Sequence, residues 1–522
     1  MKNTVKKLVA IIVCIAMLFS VCSAGVYASD EKNIITVSCE EDLKNLDKDI
    51  PIVYITGLEH DYYKGLSTET EEDDVRIWGP EAGPIVKAVF KYALPLTFSI
   101  LFKNYEKINK ISAEVADIIF GDFACDENGV PNPDTGKKIK SDEEFHNGFG
   151  YSKAYTFVYD WRLDMGTIAA QLDEYINYVM KLTTTDQVAL VAMSMGTAVL
   201  STYLYEYYYT AEDYAERNHI ASAIFVAGGF NGVATCEDSF SGNMSFDAVS
   251  LMRMMSELMR GKEGTDGIYK MIEILYSFGM LDPVVNYVND LVKEIFANGF
   301  NDAACETIGT ISGFYALMSL ERYEEARDYI FDTPEKKAKY AKIIENSDYY
   351  HYNVQANCSN VIQSMLDNGI NVAIIAEYGY TIIPITSDND RMSDGTIATD
   401  RESYGAICAH PDGTLGEGYT QAKACACGKN HISADNQIDA STCEFPDITW
   451  FAKYVRHGSD EKFIGDLVDL ISYSEDQVTV WTYEEYPQYL INLDDEKLVP
   501  LTAENAGTII PYEETTMIKK FF

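Results

Sequence analysis

The sequence predicts an α/β architecture: a mostly parallel, doubly wound sheet interrupted by a long helical insertion. Three observations predict it. Short runs rich in Val and Ile alternate with amphipathic helical patterns in the early and late parts of the chain. Those runs are apolar at both parities, as suits strands covered on both faces. Between about residues 245 and 368 the strand signal stops and helical patterns run alone.

The chain opens with a segment read as removable. Lys2, Lys6 and Lys7 form a positive region, residues 8–18 an apolar one, and Val26-Tyr27-Ala28 a cleavage site. Residues 1–28 are therefore expected to be a signal peptide, and the mature chain to be secreted to the extracellular side of a bacterial-type cell. The apolar run is short for a retained membrane anchor, and Val21 is large for the residue before a lipidated Cys22. No other stretch is long and apolar enough to span a bilayer, so no stable membrane span is expected after signal removal. The 81 acidic and 41 basic residues give a net charge of −40, which works against nucleic-acid or anionic-membrane partners. The hydrophobic share of 47% and charged share of 23% are those of a globular protein. Its length of 522 residues allows two or three folding units. Oligomeric state is not readable.

Strands are expected within 34–37, 50–55 (IPIVYI), 154–159 (AYTFVY), 187–192 (QVALVA), 221–227 (ASAIFVA), 371–376 (NVAIIA) and 448–455 (ITWFAKYV). Residues 167–182 repeat apolar positions at Ile168, Leu172, Ile176 and Val179, the period of a helix. In the insertion, Leu281, Val284, Val285, Val288, Leu291, Val292 and Ile295 mark another. Seven of the 17 methionines lie between Met244 and Met280. Plain helical core explains most of them, although methionine also suits surfaces that accept varied apolar ligands. A helical block inserted between strands of such a sheet sits like a lid over the strand ends, where ligands bind. Residues 126–134 (DENGVPNPD) read as a solvated turn, lacking the spacing of an EF-hand loop. The order is thus a signal peptide at 1–28, a first core part at 29–244, a helical cap at 245–368, a second core part at 369–475 and an extension at 476–522. That extension, with the strand-like VTVW and YLINL, reads as an appendage or an added edge.

Eleven cysteines occur, and Cys14 and Cys22 leave with the signal. Nine remain, so at least one is free or pairs between chains. Cys408, Cys425, Cys427 and Cys443 fall close together, with His410 and His431 nearby. A zinc site is conceivable there, but Cys-x-Cys is not one of the usual structural zinc spacings. No metal and no cofactor are therefore expected.

The sharpest local signal is the strand that runs into Ser194, followed by Gly196 and a helix rich in small residues. This is the strand–turn–helix context of a nucleophile elbow. The serine hydroxyl projects above the sheet, and the N–H of Met195 points toward the reacting carbonyl. Ala192 stands where the pattern Gly-x-Ser-x-Gly has its first glycine, so some strain is expected in the turn. Such a serine needs a base and an orienting acid, which in α/β-hydrolases follow in the order Ser, acid, His. Asp394, in a loop after the strand at 371–376, is the candidate acid; Asp388 and Asp390 read as turn residues. His457, between the strand at 448–455 and a helical run at 462–471, is the candidate base. His431 is the alternative base and His410 a third; His60, His146, His219 and His351 precede the acid and read as structural or exposed. Thr56-Gly57-Leu58 follows an early strand, so the Leu58 N–H is the candidate second oxyanion donor beside Met195.

Tyr159-Asp160-Trp161-Arg162-Leu163, the serine elbow and Ser393-Asp394-Gly395-Thr396 together resemble the lecithin:cholesterol acyltransferase-like branch of the α/β-hydrolase superfamily. The resemblance implies a Ser–Asp–His triad, a lid and ester chemistry on acyl lipids. Mapped here, those roles fall on Ser194, Asp394 and His457. Ala192, Thr197 in place of a second glycine, and residues 425–438 (CACGKNHISADNQI) depart from the family pattern. The expected function is a secreted serine esterase or lipase acting on an acyl ester or lipid substrate. Acyl transfer through the same residues and a catalytically silent binding module are the alternatives, and a metal-dependent hydrolase using His431, His410 and the cysteines is a further one.

Overall fold

Each of the six later strand runs forms a strand of one eight-stranded sheet. The structure, a computed structural model, describes residues 50–507 apart from 59–61, 66–74, 79–90, 93–94, 96–97, 100–101, 138–153, 213, 215–217, 260–273, 275, 280, 460 and 494–496. The expected signal peptide, the strand expected at 34–37, Cys39, His60 and His146 lie outside the described residues.

Strand β1 is Ile52–Ile55 and β2 is Ala154–Phe157. Helix α1, Met165–Thr183, follows, then β3, Val188–Met193, helix α2, Gly196–Leu204, and β4, Ile220–Val226. After a helical segment come β5, Asn371–Tyr378, β6, Thr449–Lys453, helix α3, Glu461–Tyr473, β7, Tyr489–Asn492, and β8, Leu498–Pro500. The spatial order is β8-β7-β6-β5-β4-β3-β1-β2. Every neighbouring pair is parallel except β7 with β8. Strands β1, β3 and β5 are buried at every position, as their unbroken apolar runs require in the middle of a parallel sheet. The described residues after 476 join the sheet as an added edge: YLINL supplies β7, and β8 closes that edge.

Helix α1 begins at an Asp164 side chain that accepts the Thr167 N–H at 3.0 Å. It buries the stripe Ile168, Leu172, Ile176 and Val179 that its sequence marks out. Between β4 and β5 the described residues form helices from Ala234 to Asp367, so the helical segment starts before the sequence boundary near 245. The helix Asp282–Ile295 opens with Pro283 in its first turn and Leu281 just outside it. Its Val285, Val288 and Val292 pack with Phe246, Phe296 and Ile385. Residues 126–134 form turns in which the Asp126 carboxylate accepts the N–H groups of Asn128 and Val130, both at 2.9 Å.

The Tyr-Asp-Trp-Arg block holds the segment between β2 and α1 against the rest of the core. Arg162 is fully buried and forks onto Asp160, with Nε–Oδ1 at 2.9 Å and Nη2–Oδ2 at 2.6 Å. Its remaining N–H groups reach Thr135 Oγ1 at 2.9 Å and the Thr135 carbonyl at 3.2 Å. Trp161 lies edge-on to Trp78 and Phe314, with ring centroids 5.2 and 5.1 Å apart. The guanidinium also lies 5.1 Å from the Tyr62 ring and 5.0 Å from that of Phe123.

Removing that fork leaves polar atoms stranded in an aromatic environment. Arg162→Leu should lower stability by about 2–4 kcal/mol, less than for a fully buried pair because Asp160 keeps 24% of its side chain exposed. A shift in the urea midpoint at unchanged slope measures this. Arg162→Lys should restore little, because an ammonium cannot reproduce the two-pronged contact. A variant as stable as the parent chain would show that the fork contributes nothing.

Candidate active site

Parallel strands deliver all the loops that follow them to one rim of the sheet. Ser194 follows β3, the loop bearing Asp394 follows β5, and His457 follows β6.

Ser194 has φ of +52°, a left-handed backbone that a serine adopts only when its surroundings hold it there. Its N–H donates to the Val226 carbonyl at 3.0 Å, and its own carbonyl accepts the N–H groups of Thr197 and Gly229, both at 3.1 Å. Gly196 makes the turn possible. A Cβ there would lie 2.4 Å from the Ile55 carbonyl oxygen and 2.6 Å from that of Thr56, so only glycine lets α2 start against the end of β1. Two of the three departures from the family pattern have local explanations. Ala192 lies inside β3, in register with Ile55 and Phe225, and the strained torsion falls on Ser194 instead. Thr197 pins the turn: its hydroxyl donates to the Ser194 carbonyl at 2.6 Å and accepts the Phe230 N–H at 3.1 Å.

The structure joins three side chains distant in sequence. Ser194 Oγ lies 2.9 Å from His457 Nε2, and His457 Nδ1 lies 2.5 Å from Asp394 Oδ2. Asp394 Oδ1 accepts the N–H groups of Thr396 and Ile397, both at 2.6 Å. Gly395, with φ of +101°, permits this tight loop. The His457 N–H donates to the Asp394 carbonyl at 3.2 Å, so backbone as well as side chains lock the two loops together. Burial works to raise the Asp394 pKa, but the His457 charge and hydrogen bond and the two backbone donors outweigh it. The carboxyl is held below its usual range. A carboxylate on Nδ1 fixes the N–H at that nitrogen and leaves the Nε2 lone pair facing the serine hydroxyl.

The Thr56-Gly57-Leu58 turn abuts the serine. A Cβ on Gly57 would meet Ser194 Cβ at 2.9 Å and Oγ at 3.4 Å. The turn is anchored by the Tyr159 hydroxyl, which donates to the Thr56 carbonyl at 2.8 Å. Among the described residues, neither the Leu58 nor the Met195 N–H has a hydrogen-bond acceptor. The helical segment lies over this corner: Leu317 approaches Gly229 beside the Ser194 carbonyl, and Ser194 itself is 6% exposed.

The remaining candidates go elsewhere. His431, the alternative base, is bound to Gln488 Oε1 at 2.8 Å and to Cys427 Sγ at 3.1 Å, so both its nitrogens are committed away from the serine. His410 is exposed and bonds to Asp390. Asp388 pairs with Arg391 at 2.9 Å, and Asp390 with Arg253. His351 is buried between Gln355 Oε1 at 2.7 Å and the Tyr315 carbonyl at 2.9 Å, and its pKa is lowered to about 4 by burial. His219 contacts the Tyr203 hydroxyl at 2.5 Å. Sequence reasoning passed over Arg456, whose guanidinium lies 3.9 Å from the Tyr380 ring centroid and beside Gly395, against the acid loop. Its place next to the candidate base was the available signal.

The family model for lecithin:cholesterol acyltransferase matches residues 144–266. That span holds the Tyr-Asp-Trp-Arg block and Ser194, and the parallel sheet around them is the α/β-hydrolase fold that the sequence resemblance implies. The family is one of acyltransferase- or esterase-like enzymes. No curated protein matches the chain. Among solved structures, a chain in the crystal structure of the Tle4-Tli4 complex matches at 11% identity, covering 63% of this chain and 75% of that one with a TM-score of 0.23.

The acid loop makes a pH-dependent contribution to folding. Because the Asp394 pKa is depressed in the folded chain, the unfolded chain binds more protons in the acid range. Its stabilisation is complete above the unfolded carboxylate value of about 3.9 and is lost as pH falls through the lower folded value. Asp394→Asn should remove that part of the acid-unfolding profile. Superimposable pH–stability curves for the two proteins would contradict this.

Proposed function

We propose that the chain is a secreted serine hydrolase that cleaves carboxylic esters, lipid or acyl esters foremost, through an acyl-enzyme. The observation behind this reading is the unbroken relay from Asp394 through His457 to a serine held at positive φ. Ser194 Oγ attacks the acyl carbonyl while His457 Nε2 takes its proton. Asp394 holds the imidazole in the required tautomer and stabilises the imidazolium that forms. The Leu58 and Met195 N–H groups stabilise the oxyanion of the tetrahedral intermediate, where losing one donor costs about 10²–10³ in rate. Collapse breaks the bond to the alcohol, which leaves with the proton from His457. Water, deprotonated by the same imidazole, then releases the acid and restores the serine. The family match favours one further variant, in which a second alcohol replaces water and the acyl group is transferred. Export rests on residues 1–28, and the amino terminus of protein collected from culture medium tests it.

A fluorophosphonate probe tests the chemistry directly. The folded chain should be labelled on Ser194, and Ser194→Ala should abolish labelling. His457→Ala and Asp394→Asn should slow p-nitrophenyl ester turnover by about 10³–10⁴. His431→Ala should keep its labelling per folded molecule. Folded protein that takes up no probe would sink the reading and leave a binding module. A chain-length series of the same esters reports the acyl group preferred.

A further inference from the structure

We propose that Cys425, Cys427, His431 and Asp447 form a structural zinc site. This departs from the sequence expectation of no metal, and it does not depend on the serine chemistry. One ligand atom from each of the four residues lies within 4.8 Å of every other. Cys427 Sγ is 3.1 Å from His431 Nε2, His431 Nε2 is 3.8 Å from Asp447 Oδ1, and Cys425 Sγ is 3.7 Å from Asp447 Oδ2. A tetrahedron with Zn–S of about 2.3 Å and Zn–N or Zn–O of about 2.0–2.2 Å has edges of about 3.3–3.8 Å. Measured to the same oxygen, Asp447 Oδ1, the Cys425 sulfur is 3.9 Å away, so three of the six edges fall close to that range and none exceeds 4.8 Å.

The surrounding hydrogen bonds prepare the ligands. Gln488 donates its amide N–H₂ to the carbonyls of Pro446 at 2.7 Å and Thr449 at 3.1 Å, which turns its oxygen toward His431. His431 Nδ1 therefore carries the proton and donates to Gln488 Oε1, leaving Nε2 as a lone pair aimed at the sulfur and the carboxylate. His431 is fully buried, and its ring sits edge-on to Trp481. The Trp481 indole N–H donates to Asp447 Oδ1 at 2.8 Å, and the Lys429 N–H to Cys427 Sγ at 3.4 Å. Ligating histidines and carboxylates are oriented in this way in metal sites.

Two sulfurs, one imidazole and one carboxylate in a tetrahedral set select Zn²⁺ over Mg²⁺ or Ca²⁺, which take oxygen ligands. Four protein ligands leave no open position, so the site is structural. Its location agrees. Asp447 precedes β6 and His457 follows it, so the five residues of the strand, about 16 Å at the rise of a parallel strand, separate the metal from the imidazole. The ion would tie the loop at 425–431 to the start of the strand that carries the candidate base and to the segment from Trp481 to Gln488. Asp447 lies too far along the chain to be recognised beside Cys-x-Cys-x₃-His, and no local pattern marks Gln488.

Elemental analysis of the full mature chain, purified without chelator and dialysed, should give about one zinc per chain. Cys427→Ser and Asp447→Asn should each lose most of it. Exchange with cobalt should produce thiolate-to-cobalt absorption that Cys427→Ser abolishes. Stripping the metal with dipicolinate should lower the Tm by about 5 °C or more. The wild-type metal content needs no variant to fold. Protein that binds no zinc even after titration with zinc chloride, with both thiols free, would overturn the proposal. So would a mass deficit of two hydrogens mapped to a Cys425–Cys427 disulfide, or zinc retained in full by both variants.

Discussion

A missing side chain at position 196 governs the geometry of the rim. Helix α2 starts where its first residue meets the carbonyls of Ile55 and Thr56, and any Cβ would be driven into backbone that cannot swing aside. That contact fixes the end of β1 relative to the end of β3. It sets the Gly57 turn against Ser194 and forces the serine into its left-handed torsion. Thr197 and Gly229 then hold the serine carbonyl from the other side. A strained residue persists only where its neighbours over-determine it, and here the neighbours are backbone groups of two strands and a helix start. The candidate nucleophile is therefore positioned by the most rigid part of the sheet.

The acid and base are held differently. Their loops leave β5 and β6, adjacent strands whose parallel register fixes the separation of their ends. Beyond the strands, the loops depend on one another: the His457 N–H bonds to the Asp394 carbonyl, and the His457 ring to the Asp394 carboxylate. Arg456, stacked on Tyr380 beside Gly395, adds a planar contact to the same junction. The helical segment reaches this region too, since Val285, Val288 and Val292 pack with Ile385 upstream of the acid.

Strands β1 to β6 were legible because a buried parallel strand must be apolar on both faces, which leaves runs such as VALVAM and NVAIIA unmistakable. The convergence of Ser194, Asp394 and His457 was legible for a topological reason: parallel strands send their following loops to one rim, so chain order alone narrows the choice. The partners of Arg162 were not. Thr135 belongs to a three-residue strand with no periodicity, and its bond to Arg162 crosses 27 positions. The edge formed by β7 and β8 was only half legible, because a four-residue run such as YLIN reads the same in a loose appendage as in a sheet.

The most instructive case is His431. By residue type and neighbourhood it competed with His457 as a base, and no pattern in the sequence separates the two decisively. What separates them is the end of β6 at which each is held. His457 follows the strand and meets a hydroxyl and a carboxylate. His431 is held near Asp447, before the strand, with its Nδ1 taken by Gln488 and its Nε2 turned to a sulfur. An imidazole whose two nitrogens face an acid and an alcohol suits proton transfer, whereas one between an amide oxygen and soft or anionic ligands suits a cation. The same side chain thus meets different partners at the two ends of one strand, and distant segments supply them.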